Sequence, residues 1–227
     1  MKLSLKAFTI ALIITPVLSY AVETPPEGSA LVDSPQQGYF PKQGAVTVQQ
    51  FTWHNCMHCY KLEPWVTKWE NEKKEYINFE RIPASWSDKH TADGAYYNYA
   101  KTMAAAGEID HNDLQKINTS LFKITLEEKQ DLTSSSALPI FLKYGINSSE
   151  ELSKKTQSFK VYRENAKSKK LMSEYNIQGV PAFVISGKYL VSFRTLQKSS
   201  PEELFSTINK IAESEHNKST QALTNEE

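Results

Sequence analysis

The chain holds two cysteines in 227 residues, and both fall in the stretch Phe51-Thr52-Trp53-His54-Asn55-Cys56-Met57-His58-Cys59-Tyr60. A strand-like run gives way to a helix-like one at this point. Crosslinking so short a loop removes little chain entropy, so the pair reads as a reversible disulfide more readily than as a structural one. Disulfide exchange needs a thiolate near neutral pH. Cys56 would sit at the mouth of the following helix, where unpaired backbone N–H groups and the positive end of the macrodipole favour negative charge. His58 can add a hydrogen bond or, when protonated, a charge to the Cys56 sulfur. A stabilised thiolate stabilises the reduced form and makes the disulfide oxidising. Cys59, deeper in the helix, is expected to stay protonated until it must attack a mixed disulfide. A soft-metal reading stands beside this one: Cys56, Cys59 and His58, with His54 or Met57, could hold Cu(I). No second C-x-x-C or H-x-x-H completes a tetrahedral zinc site.

The elements that must position these residues can be read on either side. Val46, Val48, Phe51 and Trp53 mark a strand over Ala45 to Trp53. Leu62, Trp65, Val66 and Trp69 mark a helix over Tyr60 to Lys74, with Pro64 expected to kink it. Ile77 to Ile82, closed by Pro83, reads as a second strand. Strand, redox turn, helix and strand make a βαβ unit with parallel pairing. The pattern is helical from Ala84 to Tyr175, with segments over 92–106, 111–126 and 136–144 and a long basic helix opened by Ser148-Ser149-Glu150-Glu151. Strand character returns at Ile177 to Ile185, and Ser186-Gly187-Lys188 turns the chain into Tyr189-Leu190-Val191 as a hairpin. Ser200-Pro201-Glu202-Glu203 opens a last helix with Leu204, Phe205, Ile208, Ile211 and Ala212 on its buried stripe. The tail beyond is polar and expected to fray. Val22 to Gly44 lacks periodicity and reads as an extended lead-in. His90 and His111 receive no role.

The N-terminus has the form of a secretory signal. Lys2 and Lys6 precede an uncharged, mostly apolar run over 7–18, and Ser19-Tyr20-Ala21 presents small residues where a signal peptidase reads. That run is too short to span a bilayer, which needs about 20 residues. Cleavage is expected after Ala21, releasing a soluble exported protein. The 26 basic and 26 acidic residues balance, and loss of Lys2 and Lys6 leaves a slight acidic excess. Nothing in that charge favours nucleic acid or an anionic membrane. A mature chain of this size builds a core without crosslinks, which leaves its cysteines free for chemistry.

Taken together, Cys56-Met57-His58-Cys59-Tyr60, the proline five residues past the second cysteine, and the run Gly179-Val180-Pro181-Ala182-Phe183-Val184-Ile185-Ser186-Gly187-Lys188-Tyr189 resemble the thioredoxin fold. The helical insertion makes the chain resemble, more narrowly, the DsbA-type thiol-disulfide oxidoreductases of the bacterial periplasm. The likeness covers about Pro35 to Ala212. It implies an α/β thioredoxin-like domain over 22–83 and 176–212, interrupted by a helical domain over 84–175, with a leader over 1–21 and a polar tail over 213–227. It further implies a cis Val180–Pro181 bond against the cysteine pair, helping to keep metals off. The backbone of Val180 would pair with an extended substrate, and Met57 would lie beside it. Two positions depart from the pattern. Met57 stands where well-known members carry proline. Gln50 stands where many carry a buried acid that shuttles the second cysteine's proton. Glu63, one helical turn after Cys59, is a candidate substitute; its other reading is an ordinary exposed helix residue.

The function expected is a periplasmic dithiol oxidase without cofactor or metal. It donates the Cys56–Cys59 disulfide to unfolded exported proteins through a mixed disulfide at Cys56. Catalysis falls to Cys56, Cys59, His58 and Pro181. The resemblance implies reoxidation by a DsbB-type membrane quinone oxidoreductase, and a monomer is expected. A disulfide isomerase or reductase and a Cu(I) carrier are the alternatives.

Overall fold

A computed structural model describes residues 24–35, 44–196 and 200–224. The expected leader and its cleavage after Ala21 lie outside the described residues. Among the described residues no helix is long and apolar enough to cross a membrane.

Five strands form one mixed sheet: β1 (Ser29–Leu31), β2 (Val46–Thr52), β3 (Ile77–Pro83), β4 (Ala182–Ile185) and β5 (Tyr189–Val191), in the order β1-β5-β4-β2-β3. β2 pairs in parallel with β3, Val46 opposite Ile77 and Gln50 opposite Arg81. It pairs antiparallel with β4, Phe51 opposite Ala182. The strand leading to the cysteines therefore lies between two neighbours and is buried along its whole length. α1 (Met57–Glu72) connects β2 to β3, and the parallel pairing requires such a crossover.

The hairpin forms as the Gly-containing turn predicts, β4 antiparallel to β5. Ser186 (φ 52°) and Gly187 (φ 62°) are both left-handed, as a twist-matched two-residue turn requires. The strand itself starts only at Ala182, because Ile177 to Pro181 form the approach to a cis Val180–Pro181 bond.

The even-numbered side of β2 faces α1 and α8 (Pro201–Thr224). Val46 and Val48 pack there with Leu62, Val66 and Trp69 from α1 and with Leu204, Ile208 and Ile211 from α8. Trp65, placed on the same stripe by its spacing, is 37 % exposed. The opposite side carries Phe51, Ile82 and Val184 against Leu171, Met172 and Tyr175.

The helical insertion runs through α2 (Asp88–Ala105), α3 (His111–Leu126), α4 (Ser134–Phe141), a 3-10 turn (Leu142–Tyr144), α5 (Ser149–Thr156) and α6 (Phe159–Glu174). It owns a core, built around Tyr97, Ala100, Leu121, Phe141 and Leu152. Where one long basic helix was expected, the chain forms two. Gln157 and Ser158 leave helical geometry, Ser158 at ψ 156°, and the bend lets Leu152 and Val161 both enter that core.

Three further expectations are corrected. The redox helix begins at Met57, three residues earlier than the apolar spacing indicates, because Cys56 itself caps it. The lead-in contains β1, which pairs with β5 at the sheet edge, Ser29 opposite Val191; three residues are too few to show a period of two. The polar tail from residue 213 is helix to Thr224. There His216 stacks on Tyr76 with ring centroids 4.1 Å apart, and its Nδ1 meets the Gly44 carbonyl oxygen.

Candidate active site

Cys56 stands at the N-cap of α1 with extended backbone (φ −111°, ψ 110°), and its Sγ accepts the backbone N–H of Cys59 at 3.3 Å. A sulfur here does what a serine or aspartate oxygen does at most helix starts, which explains its acidity. The Cys59 thiol donates to the Cys56 sulfur, and the backbone N–H groups of Cys59 and His58 point to it as well; partial burial opposes them. Together they push the Cys56 thiol down to about 7. Cys59 is fully buried, and burial, with Cys56 next, pushes its thiol well above the ordinary range. Both sulfurs are free thiols in this structure.

Val180 brings its carbonyl oxygen to 3.7 Å from Cys56 Sγ, at the cis bond to Pro181. The two predicted motifs, 124 positions apart, therefore meet at one sulfur. A groove of about 510 Å³ opens there, lined by His58, Gly179, Val180, Pro181 and Ala182, with Leu190 and Phe193 beyond. His58 presents its backbone N–H to Cys56 and is itself an exposed residue of the groove lining. The expected imidazole-to-sulfur bond is absent among the described residues. Met57 is 41 % exposed beside it. Among the described residues no group of three or more His, Cys, Asp or Glu side chains is placed to hold a metal.

Beneath Cys59 the insertion closes the site. Phe122 and Leu126 of α3 pack on Cys59, with Tyr60 and Val180 at the rim. The Tyr60 hydroxyl donates to the Glu127 carboxylate.

Glu63 is not an ordinary exposed helix residue: it is only 3 % exposed. Its Oε1 accepts from Arg81 Nη2 at 2.7 Å and from Asn118 Nδ2 at 2.8 Å. Arg81 also bonds Glu70 at 2.6 Å. Burial pushes the Glu63 carboxyl up, against the pull of Arg81. Gln50 is fully buried and in register with Arg81, and its amide has no hydrogen-bond partner among the described residues. Sequence reasoning missed Arg81 and Asn118, and read His54 only as a possible copper ligand. Arg81 lies in β3 next to Glu80 and two residues from Phe79 and Pro83, so its charge did not stand out from the strand.

One sulfur that ionises readily, held one helical turn from one that does not, can pass a disulfide to another thiol and recover it. On this sheet, with a cis-proline alongside, the molecule is a thiol–disulfide oxidoreductase of the thioredoxin fold. The chain belongs to the DSBA-like thioredoxin domain family, whose profile matches residues 71–204. That match begins beyond Cys59, so the insertion and the cis-proline half carry it independently of the cysteine turn.

Relatives agree. The thiol:disulfide interchange protein DsbA of Azotobacter vinelandii is 28 % identical over 163 residues, covering 71 % of this chain and 72 % of that one. The protein of the same name from Burkholderia cepacia is 29 % identical over 159 residues, covering 70 % and 71 %. In fold, the chain is similar to the crystal structure of Pseudomonas aeruginosa DsbA, at a TM-score of 0.66 and 24 % identity, over 89 % of this chain and 97 % of that one.

Proposed function

We propose that this chain works as a disulfide donor to newly exported proteins in the periplasm, through a mixed disulfide at Cys56. The observation that carries the reading is the inequality of the two thiols: Cys56 partly exposed and pushed down to about 7, Cys59 sealed and pushed up. A substrate thiolate attacks Cys56 Sγ, the only sulfur of the pair that is not fully buried. The Cys56–Cys59 bond breaks, and Cys59 leaves with its electron pair and takes a proton. A second substrate thiolate then attacks the substrate sulfur of the mixed disulfide. The substrate disulfide forms and Cys56 leaves as the thiolate that its capping position stabilises.

Val180 and Pro181 hold the substrate. An extended peptide pairs with the Val180 backbone in the manner of an added strand, placing side chains in the groove, with Met57 at its edge. His58 contributes its backbone N–H to the thiolate and lines the groove. Glu63 is the group that exchanges a proton with Cys59, in place of an acid at position 50. Its Oε2 is buried with no donor among the described residues, and burial keeps the carboxyl basic. A DsbB-type membrane partner restores the disulfide, with Cys59 attacking the mixed disulfide in that return step. The chain acts as a monomer, exported by a leader ending at Ala21.

The redox potential of the Cys56–Cys59 pair tests the direction of transfer. A potential well above that of the glutathione pool is expected; one below it makes the chain a reductase and overturns the proposal.

A further inference from the structure

His54 is wholly buried, and no step above uses it. Its neighbours fix its hydrogen-bonding state. The Arg81 guanidinium can only donate, and it does so to Glu63 Oε1. Asn118 Nδ2 donates to the same oxygen, which turns Asn118 Oδ1 toward His54, 3.0 Å from Nε2. An amide oxygen only accepts, so Nε2 carries the ring proton. Burial pushes the imidazole down to about 4, against the pull of Asn118, and holds the ring neutral.

A directed chain results: His54 donates to Asn118, and Asn118 donates to Glu63. Two donors thereby converge on Glu63 Oε1 while Oε2 has none among the described residues. The ring packs on Phe122 at 4.8 Å, and Phe122 packs on Cys59. Across the ring stands Tyr97 of α2, at 5.9 Å. The charged groups on this side are Glu63 and Glu70 of α1 and Arg81 of β3. The Thr125 hydroxyl ties the His54 carbonyl to α3.

We propose that His54 is a positioning residue for the Cys59 step: by donating to Asn118 it keeps the second donor on Glu63 Oε1 and so presents Oε2 as the oxygen that takes the Cys59 proton. Without that donor the Asn118 amide is free to turn its oxygen toward the carboxylate, and Glu63 loses its orientation. The inference deepens the reading of Glu63 as proton acceptor and rests on it. In the step itself the Cys59 S–H proton passes to Glu63. The Cys59 thiolate attacks Cys56 Sγ of a mixed disulfide, the Cys56–Cys59 bond forms, the bond from Cys56 to the partner sulfur breaks, and the partner leaves as a thiolate with the electron pair.

The test treats the reduced protein with 4,4′-dithiodipyridine. The first thiopyridone released reports attack by Cys56; the second reports attack by Cys59. His54→Phe keeps a ring but has no donor, whereas His54→Gln restores an N–H at the Nε2 position. His54→Phe is expected to slow the second release by about tenfold, the scale of one lost buried hydrogen bond, and to displace its pH profile. The first release stays at the wild-type rate, and His54→Gln recovers most of the second. Wild-type second-phase kinetics in His54→Phe, or equal slowing in both variants, overturns the proposal. Glu63→Gln separates the two ideas. An unchanged second phase there sinks the acceptor reading, whereas slowing in Glu63→Gln without slowing in His54→Phe sinks only the role of His54. Should His54→Phe not fold, Asn118→Leu breaks the same chain at its next link and must slow the second release; an unaltered rate there overturns the proposal equally.

Discussion

Glu63 and Arg81 form an ion pair at 2.7 Å with side chains only 5 % and 2 % exposed. Arg81 reaches Glu70 as well, at 2.6 Å. Three charges thus meet between the redox helix and β3, at a cost that only mutual pairing offsets. Arg81→Met leaves two carboxylates without their cation. It is expected to lower unfolding stability by about 3–5 kcal/mol, measured by urea denaturation of the oxidised protein. A loss below about 1 kcal/mol would show that the pair is solvated in solution.

Cys56 lowers its proton affinity on folding, so the reduced protein is stabilised wherever the thiolate is present in the folded state. The contribution is full above the unfolded thiol value of about 8.5 and is lost as pH falls through about 7. Discounted for the partial exposure of the sulfur, it amounts to about 1–2 kcal/mol. The midpoint of thermal unfolding of reduced protein, minus that of Cys56→Ser, should therefore shrink between pH 8.5 and 6. A difference flat across that window contradicts the capped thiolate.

His54 contributes in another window. Its imidazole is neutral when folded, down to about 4, but titrates near 6.5 when unfolded. The unfolded chain binds the extra proton, so stability is full above pH 6.5 and is lost as pH falls toward 4. The acid slope of the oxidised protein should be shallower in His54→Phe than in wild type. Parallel slopes would place the imidazole in contact with water.

Gly94 lies on α2 where a Cβ would come 2.7 Å from Pro83 Cβ, at the end of β3. Gly94→Ala forces the helix away from the strand that carries Arg81. A loss of about 1–3 kcal/mol is expected from overpacking, with little change in the first thiol reaction of Cys56. Unaltered stability would mean that α2 moves aside freely.

Cys59→Ser removes the intramolecular escape from the mixed disulfide. Covalent complexes through Cys56 should accumulate on non-reducing gels with proteins that carry a reducible disulfide, which the Cys56 thiolate attacks with release of the other client thiol, and be absent from Cys56→Ser. Complexes that form equally through residue 59 would reverse the assignment of the two sulfurs.

The redox turn, the parallel βαβ unit, the hairpin and the insertion were legible because each leaves a local signature: a cysteine spacing, an apolar period, a glycine turn. The cap at Cys56 followed from helix physics applied to one residue. The buried network was not legible. Glu63, Arg81, Asn118 and His54 lie on four separate segments, and each alone looks like an ordinary polar residue. What makes them a unit is register, Gln50 opposite Arg81, and the docking of α3 over α1, neither of which has a period in the sequence. His58 misled for a related reason: proximity along the chain suggested a bond from its ring to the sulfur, whereas the sulfur takes its backbone N–H.

β1 pairs Ser29 with Val191 at the far edge of the sheet, and Val180 must reach Cys56 across most of the chain. A polypeptide made from its amino end delivers both cysteines long before either of these partners. During that interval the Cys56 sulfur lacks the carbonyl that stands beside it in the finished molecule. The redox site therefore comes into being only when the second half of the fold is in place, and until then its two thiols are unshielded.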